Sequence, residues 1–167
     1  MAAGNTYVPI ATQTLASAAA SVTFSSIPGT YTDLVIVCNA IRTTSLDNIG
    51  VRFNSDTGSN YSWTILKGTG TAAESDRRAN VTDIIFNVYN STNQSTGILQ
   101  VQNYANTTTY KTALSRSSGA SAGYVYATVG LWRNTAAITS ITLFDEGTTS
   151  SVINTGSTFS LYGIAAA

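Results

Sequence analysis

The sequence predicts an all-β protein: a jelly-roll-like two-sheet sandwich of about ten antiparallel strands, with an N-terminal arm over residues 1–20 and the sandwich domain over 21–167. Three observations carry that prediction. The apolar runs are short, rich in Val, Ile, Thr, Tyr and Phe, and poor in helix formers. Several of them alternate apolar and polar residues with the period of two that a half-buried strand requires. Clusters of Gly, Asn, Asp, Ser and Thr, the residues of turns, separate them at short intervals. No repeat of fixed period is present, which argues against a solenoid or a propeller.

Taken in order, Tyr7-Val8-Pro9-Ile10 is held extended by Pro9, and the small residues after Leu15 suit either a helical turn or an extended strip. This stretch reads either as an arm that packs on a neighbouring subunit or as one more strand of the same domain or a loose terminus. Ser21–Phe24 alternates and is a strand, and Ile27-Pro28-Gly29-Thr30 is a turn. Tyr31 to Phe53 reads as one long hairpin and the nucleus of the domain. Leu34–Cys38 is apolar on both faces, as in mid-sheet; Arg42–Asn48 is a polar turn; Ile49, Val51 and Phe53 then share one face. Asn54–Asn60 is a turn, and Tyr61–Ile65 is a strand with its aromatics on one side. Gly68–Ala79 reads as a long polar loop holding much of the charge, namely Glu74, Asp76, Arg77 and Arg78. Val81–Tyr89 and Gly97–Tyr104 are strands, Tyr110–Leu114 pairs back, and Ser115–Gly123 is a Ser/Gly-rich connection. Tyr124–Trp132, apolar on both faces, Ile138–Phe144 and Phe159–Ile164 complete the set, before an alanine tail.

Composition narrows the function. Eight basic and eight acidic residues cancel, and only 10% of the chain is charged. Ser, Thr and Asn supply about a third of it, so hydroxyls and amides build the polar surface. No basic patch exists to hold nucleic acid by its phosphates. No run is long enough to span a membrane, and a basic leader is missing, so synthesis and assembly in a cytoplasm are expected. The one cysteine, Cys38, lies in an apolar strand and reads as a buried small hydrophobe rather than a reactive thiol. Histidine is absent, which removes the commonest general base and metal ligand. A carboxylate pair is the chemistry still open, from Asp33, Asp47, Asp56, Glu74, Asp76, Asp83, Asp145 and Glu146. Nearly all of these fall at strand ends or turns, where backbone geometry accounts for Asp. No enzyme activity, cofactor or metal is therefore expected. Asn54–Asn60 is oxygen-rich but lacks the ligand spacing of a calcium loop, and an Asx-stabilised turn is the plainer reading.

Candidate contact residues remain. For assembly they are Tyr7, Val8, Pro9, Ile10 and Leu15 in the arm, Trp132 and Arg133 at a strand end, and Ile164 in the tail. Trp132 reads more readily as a side chain closing the end of the sandwich. For a sugar ligand they are Asn54, Asp56, Asn60 and Tyr61.

Three stretches carry a resemblance: Tyr31–Ile36 with Ile49–Ser62, then Ala136–Leu143, then Phe159–Ile164. Together they resemble small β-rich virion proteins of tailed bacteriophages, particularly those of cyanobacterial and marine hosts. Some of these are capsid decoration (cement) proteins and others are distal domains of tail fibres. The resemblance implies a homotrimer on the outside of a phage head, bound to the major capsid protein and stabilising the shell. The alternative it implies is a tail-fibre or spike domain that grips a host surface glycan. It carries no catalytic motif.

Overall fold

A computed structural model of the chain describes residues 6–41, 48–86, 94–119, 123–146 and 153–165. Residues 42–47 of the expected Arg42–Asn48 turn, 87–89 at the end of the strand expected to reach Tyr89, 120–122 of the expected Ser115–Gly123 connection, and the two extreme termini lie outside these residues. The described residues hold twelve strands and no helix: β1 (Tyr7–Thr14), β2 (Ser21–Phe24), β3 (Asp33–Ala40), β4 (Ile49–Phe53), β5 (Tyr61–Gly68), β6 (Ala73–Val81), β7 (Ile84–Ile85), β8 (Ser95–Gln102), β9 (Lys111–Gly119), β10 (Val125–Trp132), β11 (Ile141–Asp145) and β12 (Thr158–Ile164).

Hydrogen bonding sorts these into two antiparallel sheets. The larger runs β1-β12-β3-β8-β9-β10-β5-β6, and the smaller runs β2-β11-β4-β7. Their apolar faces meet as a β-sandwich. The alternation read from sequence supplies that core. Leu34, Ile36 and Cys38 of β3, Tyr61, Trp63 and Ile65 of β5, and Ile49, Val51 and Phe53 of β4 all point inward and are buried. Phe53, Tyr61 and Trp132 form an aromatic cluster, with the Tyr61 and Trp132 rings stacked at 6.2 Å. Burial pushes the Cys38 thiol well above its ordinary value, so it is held neutral in the core. The sheets approach closely where Gly130 of β10 faces Ile84 of β7. A Cβ at Gly130 would fall 2.4 Å from the Ile84 side chain, so the missing side chain is what lets the short strand seat.

Several expectations are corrected. Tyr31–Phe53 is not a hairpin, because β3 lies in the large sheet and β4 in the small one. Consecutive strands here cross between layers, which a local apolar pattern does not reveal. Over Tyr7–Thr14 the segment, read either as an arm or as one more strand of the domain, is strand β1, an edge of the large sheet paired with β12 from Tyr7↔Ile164 to Thr14↔Thr158. The expected loop Gly68–Ala79 is the turn and second strand of a β5–β6 hairpin. The expected connection Ser115–Gly123 begins as strand, since β9 runs on to Gly119. Beyond Val81, the pairing strand is only Ile84–Ile85, with Phe86 buried after it.

Candidate functional site

Strand β10 is apolar on both faces, as its sequence indicates, but only one face meets the second sheet. Tyr126, Thr128, Gly130 and Trp132 point inward, and Val125, Ala127, Val129 and Leu131 point outward. Across the ladder, Val129 lies opposite Leu114 of β9, and Ala127 lies opposite Leu66 of β5. The outward side chains are open: Leu66 is 61% exposed, Val125 58%, Val129 42% and Leu114 39%. Register therefore assembles a contiguous apolar strip over three adjacent strands. Isolated exposed apolar residues are ordinary, whereas a contiguous patch on a sheet face marks an interaction surface.

Beside the strip, β6 extends the sheet beyond the cover of the smaller layer. All of its residues but Val81 are exposed, so neither face is packed. Its charges pair locally: Lys67 Nζ lies 2.7 Å from Glu74, and Arg78 Nε lies 3.9 Å from Asp76. Such exposed pairs stabilise little.

A second feature lies at the end of the small sheet. Asn48, Trp63, Arg78, Thr82, Asp83 and Glu146 line a cleft of about 390 Å³. Arg52 fixes one wall. It donates from Nε to the Thr82 carbonyl at 3.1 Å, approaches Asp83 at 3.7 Å, and lies 4.0 Å above the Phe144 ring. Thr82 donates its hydroxyl to the same Asp83 carboxylate at 3.1 Å. Burial, together with the hydrogen bond and negative charge of Asp83, pushes the Glu146 carboxyl up to about 8. The Asn48 side chain and the Arg78 charge pull it the other way without cancelling the rise. At neutral pH the Glu146 carboxyl is held protonated against Asp83. Gly50 makes room for this pair: a Cβ there would lie 2.6 Å from the Phe144 ring and 3.0 Å from Glu146 Cγ.

The residues singled out from sequence divide by position. Tyr7 and Pro9 are exposed on β1, Val8 is half-buried, and Ile10 and Leu15 pack partly against the core. Tyr7 also meets Tyr162 edge to face. Ile164 is half-buried at the end of β12, opposite Tyr7. Trp132 is only 1% exposed, inside the aromatic cluster, which fits the reading of a side chain that closes the sandwich. Arg133 donates to the Ser59 carbonyl at 2.9 Å and to Asn80 Oδ1 at 3.0 Å, pinning the 54–60 loop.

In that loop the polar atoms serve the loop itself. Asn54 donates to the Ala137 carbonyl at 2.8 Å and accepts from the Thr139 and Ser140 amides. Asp56 accepts from Gly58 N–H and Asn60 Nδ2, and also from the Trp132 indole at 2.8 Å. The buried Tyr61 hydroxyl accepts the Phe53 amide at 3.0 Å.

Sequence reading missed the apolar strip and the Asp83–Glu146 pair. The first had a signal, since a strand apolar on both faces needs two covers. The second had none, because only the tertiary fold brings those carboxyls together. Among the described residues, no group of three or more His, Cys, Asp and Glu side chains is placed to hold a metal. No protein-family model matches the chain, and no curated protein is significantly similar to it in sequence.

Proposed function

We propose that this chain is a structural virion protein, a decoration protein that docks on the outside of a tailed-phage head and stabilises the shell. The observation that supports this reading is the open apolar strip Leu66, Leu114, Val125 and Val129 on the large sheet. Docking through that strip removes apolar surface from water, at about 25 cal/mol per Å². A partner bound only to the assembled shell stabilises it by mass action. A surface poor in charge, at zero net charge, suits a part that works in an assembled state. The resemblance to phage virion proteins supplies the identity of the shell; the strip supplies the face that would meet it. Changing Leu66, Val125 and Val129 together to serine is expected to reduce binding to purified heads at least about tenfold while thermal unfolding of the free protein stays close to wild type. Full binding by the triple variant would remove the strip from the contact. Reconstruction of the particle with the protein labelled tests the location, and density confined to tail appendages would overturn the head assignment.

A second reading, a tail-fibre domain binding a host glycan, is favoured by the polar cleft around Asp83 and Glu146. There an amide, a hydroxyl, two carboxyls and a guanidinium converge beside Trp63. Under this reading the cleft, rather than the 54–60 loop, holds the sugar. Glycan-array binding that is lost on Asp83→Ala would support it, and an array with no bound glycan would dismiss it.

A further inference from the structure

We propose that β6 is a pairing edge for a second copy of this chain, joined strand to strand across a two-fold axis. The inference needs only the fold and does not depend on the virion reading. Strand β6 is the last of the large sheet, so one side of its backbone has no strand partner among the described residues. The β5–β6 turn closes with Thr69 N–H donating to the Ala72 carbonyl at 2.9 Å. Antiparallel alternation from that bonded pair directs the N–H and C=O of Glu74, Asp76 and Arg78 toward β5. It directs those of Ala73, Ser75 and Arg77 to the open edge. Register holds without a break from Ala73 to Ala79, so this edge is straight.

The opposite edge of the same sheet is blunted. On β1, Pro9 lacks an N–H, and the register slips between Pro9 and Ala11. Charges also guard an edge when they repel a second copy, but most of the charged pairs that β6 makes with itself are of opposite sign. Residues facing one another across an antiparallel pair lie on the same side of the sheet, so a two-fold pairing in mid-strand centres on Asp76 or on Arg77. Centred on Asp76, Glu74 of each copy faces Arg78 of the other. Centred on Arg77, Asp76 of each copy faces Arg78 of the other. Either arrangement sets Arg78 against an acid twice per contact, two favourable cross-strand pairs against the one like-charged pair on the axis, Asp76 with Asp76 or Arg77 with Arg77. An uncharged strand such as β1 of another copy would leave these charges unmatched. Two-fold contacts are also the commonest form of closed self-association.

Sedimentation equilibrium on the full chain tests this. The wild type is expected to be a dimer. Ser75→Pro removes an edge N–H but no bond to β5, and is expected to give a monomer with unchanged far-ultraviolet circular dichroism. Arg78→Glu leaves only acids at positions 74, 76 and 78, on one face of the edge, and is also expected to give a monomer. Mixing Arg78→Glu chains with Glu74→Arg/Asp76→Arg chains is expected to restore a dimer containing one of each. A wild type that stays monomeric up to its solubility limit, a trimer, or a dimer unmoved by both Ser75→Pro and Arg78→Glu would overturn the proposal.

Discussion

Replacing Asp56 by alanine is expected to destabilise the fold by about 3 kcal/mol, the scale of stranding a buried donor and losing charge-assisted hydrogen bonds. For a chain of this size that lowers the melting temperature by roughly 6–12 °C. Asp56 gathers three donors, the Gly58 amide, the Asn60 amide group and the Trp132 indole. The indole belongs to a side chain almost wholly inside the core, and the carboxylate is the acceptor of its N–H. The pH dependence follows from the same contacts. Burial raises the Asp56 carboxyl, but the bonds from Trp132, Asn60 and Gly58 outweigh it and hold the group below its ordinary 3.8. A depressed carboxyl contributes stability above its unfolded value and loses it as pH falls through the folded one. Wild type should therefore weaken below about pH 4, and Asp56→Asn should weaken less steeply there. Thermal melts of the three proteins between pH 2 and pH 7 check both statements; an Asp56→Ala melting temperature within about 2 °C of wild type would show that the indole finds another acceptor.

Glu146→Gln should act in the opposite direction and at the other end of the pH scale. The Glu146 carboxyl is raised to about 8, from an ordinary 4.5, by burial and by Asp83. The folded protein thus keeps a proton that the unfolded chain releases. Stability from this group is complete below pH 4.5 and is lost as pH rises through about 8. The loss is of order 3 kcal/mol by pH 9. Glutamine keeps a donor for Asp83 and cannot ionise. The variant should match wild type near pH 5 and exceed it by roughly 6–12 °C in melting temperature at pH 9. Equal melting temperatures at pH 9 would place the Glu146 ionisation in solvent rather than against Asp83. Asp83, Arg78, Arg52 and Asn48 are the polar groups that face this carboxyl or its partner, and each would move the transition if changed.

What could be read from the chain depended on which faces are buried. Strands with one face in the core carry the period of two, and β2, β4, β5 and β12 were legible for that reason. Strand β3, apolar on both sides, was legible from its β-branched run and does lie in mid-sheet. Strand β6 has no buried face, so nothing selects alternation, and its charges read as a loop. Strand β9 faces the interior with Ser115, Ser117 and Gly119, small residues whose pattern fades after Leu114. Sheet membership was illegible throughout, because it is decided by partners far along the chain. The carboxyl pair in the cleft was hidden for the same reason, whereas the double apolar character of β10 was visible in its sequence although the open face it implies was not drawn from it.

The order of strands has a consequence for synthesis. Among the described residues the lateral neighbour of β1 is β12, and that of β2 is β11, while β12 also covers β3 and β11 also covers β4. A chain growing from its N-terminus therefore produces four strands that can be joined only by two made last. A nascent fragment that stops before Ile141 leaves β1 and β2 with no strand to pair with. Such long-range closure slows folding relative to local hairpins. It also acts as a checkpoint: a copy truncated before Ile141 cannot close its sandwich.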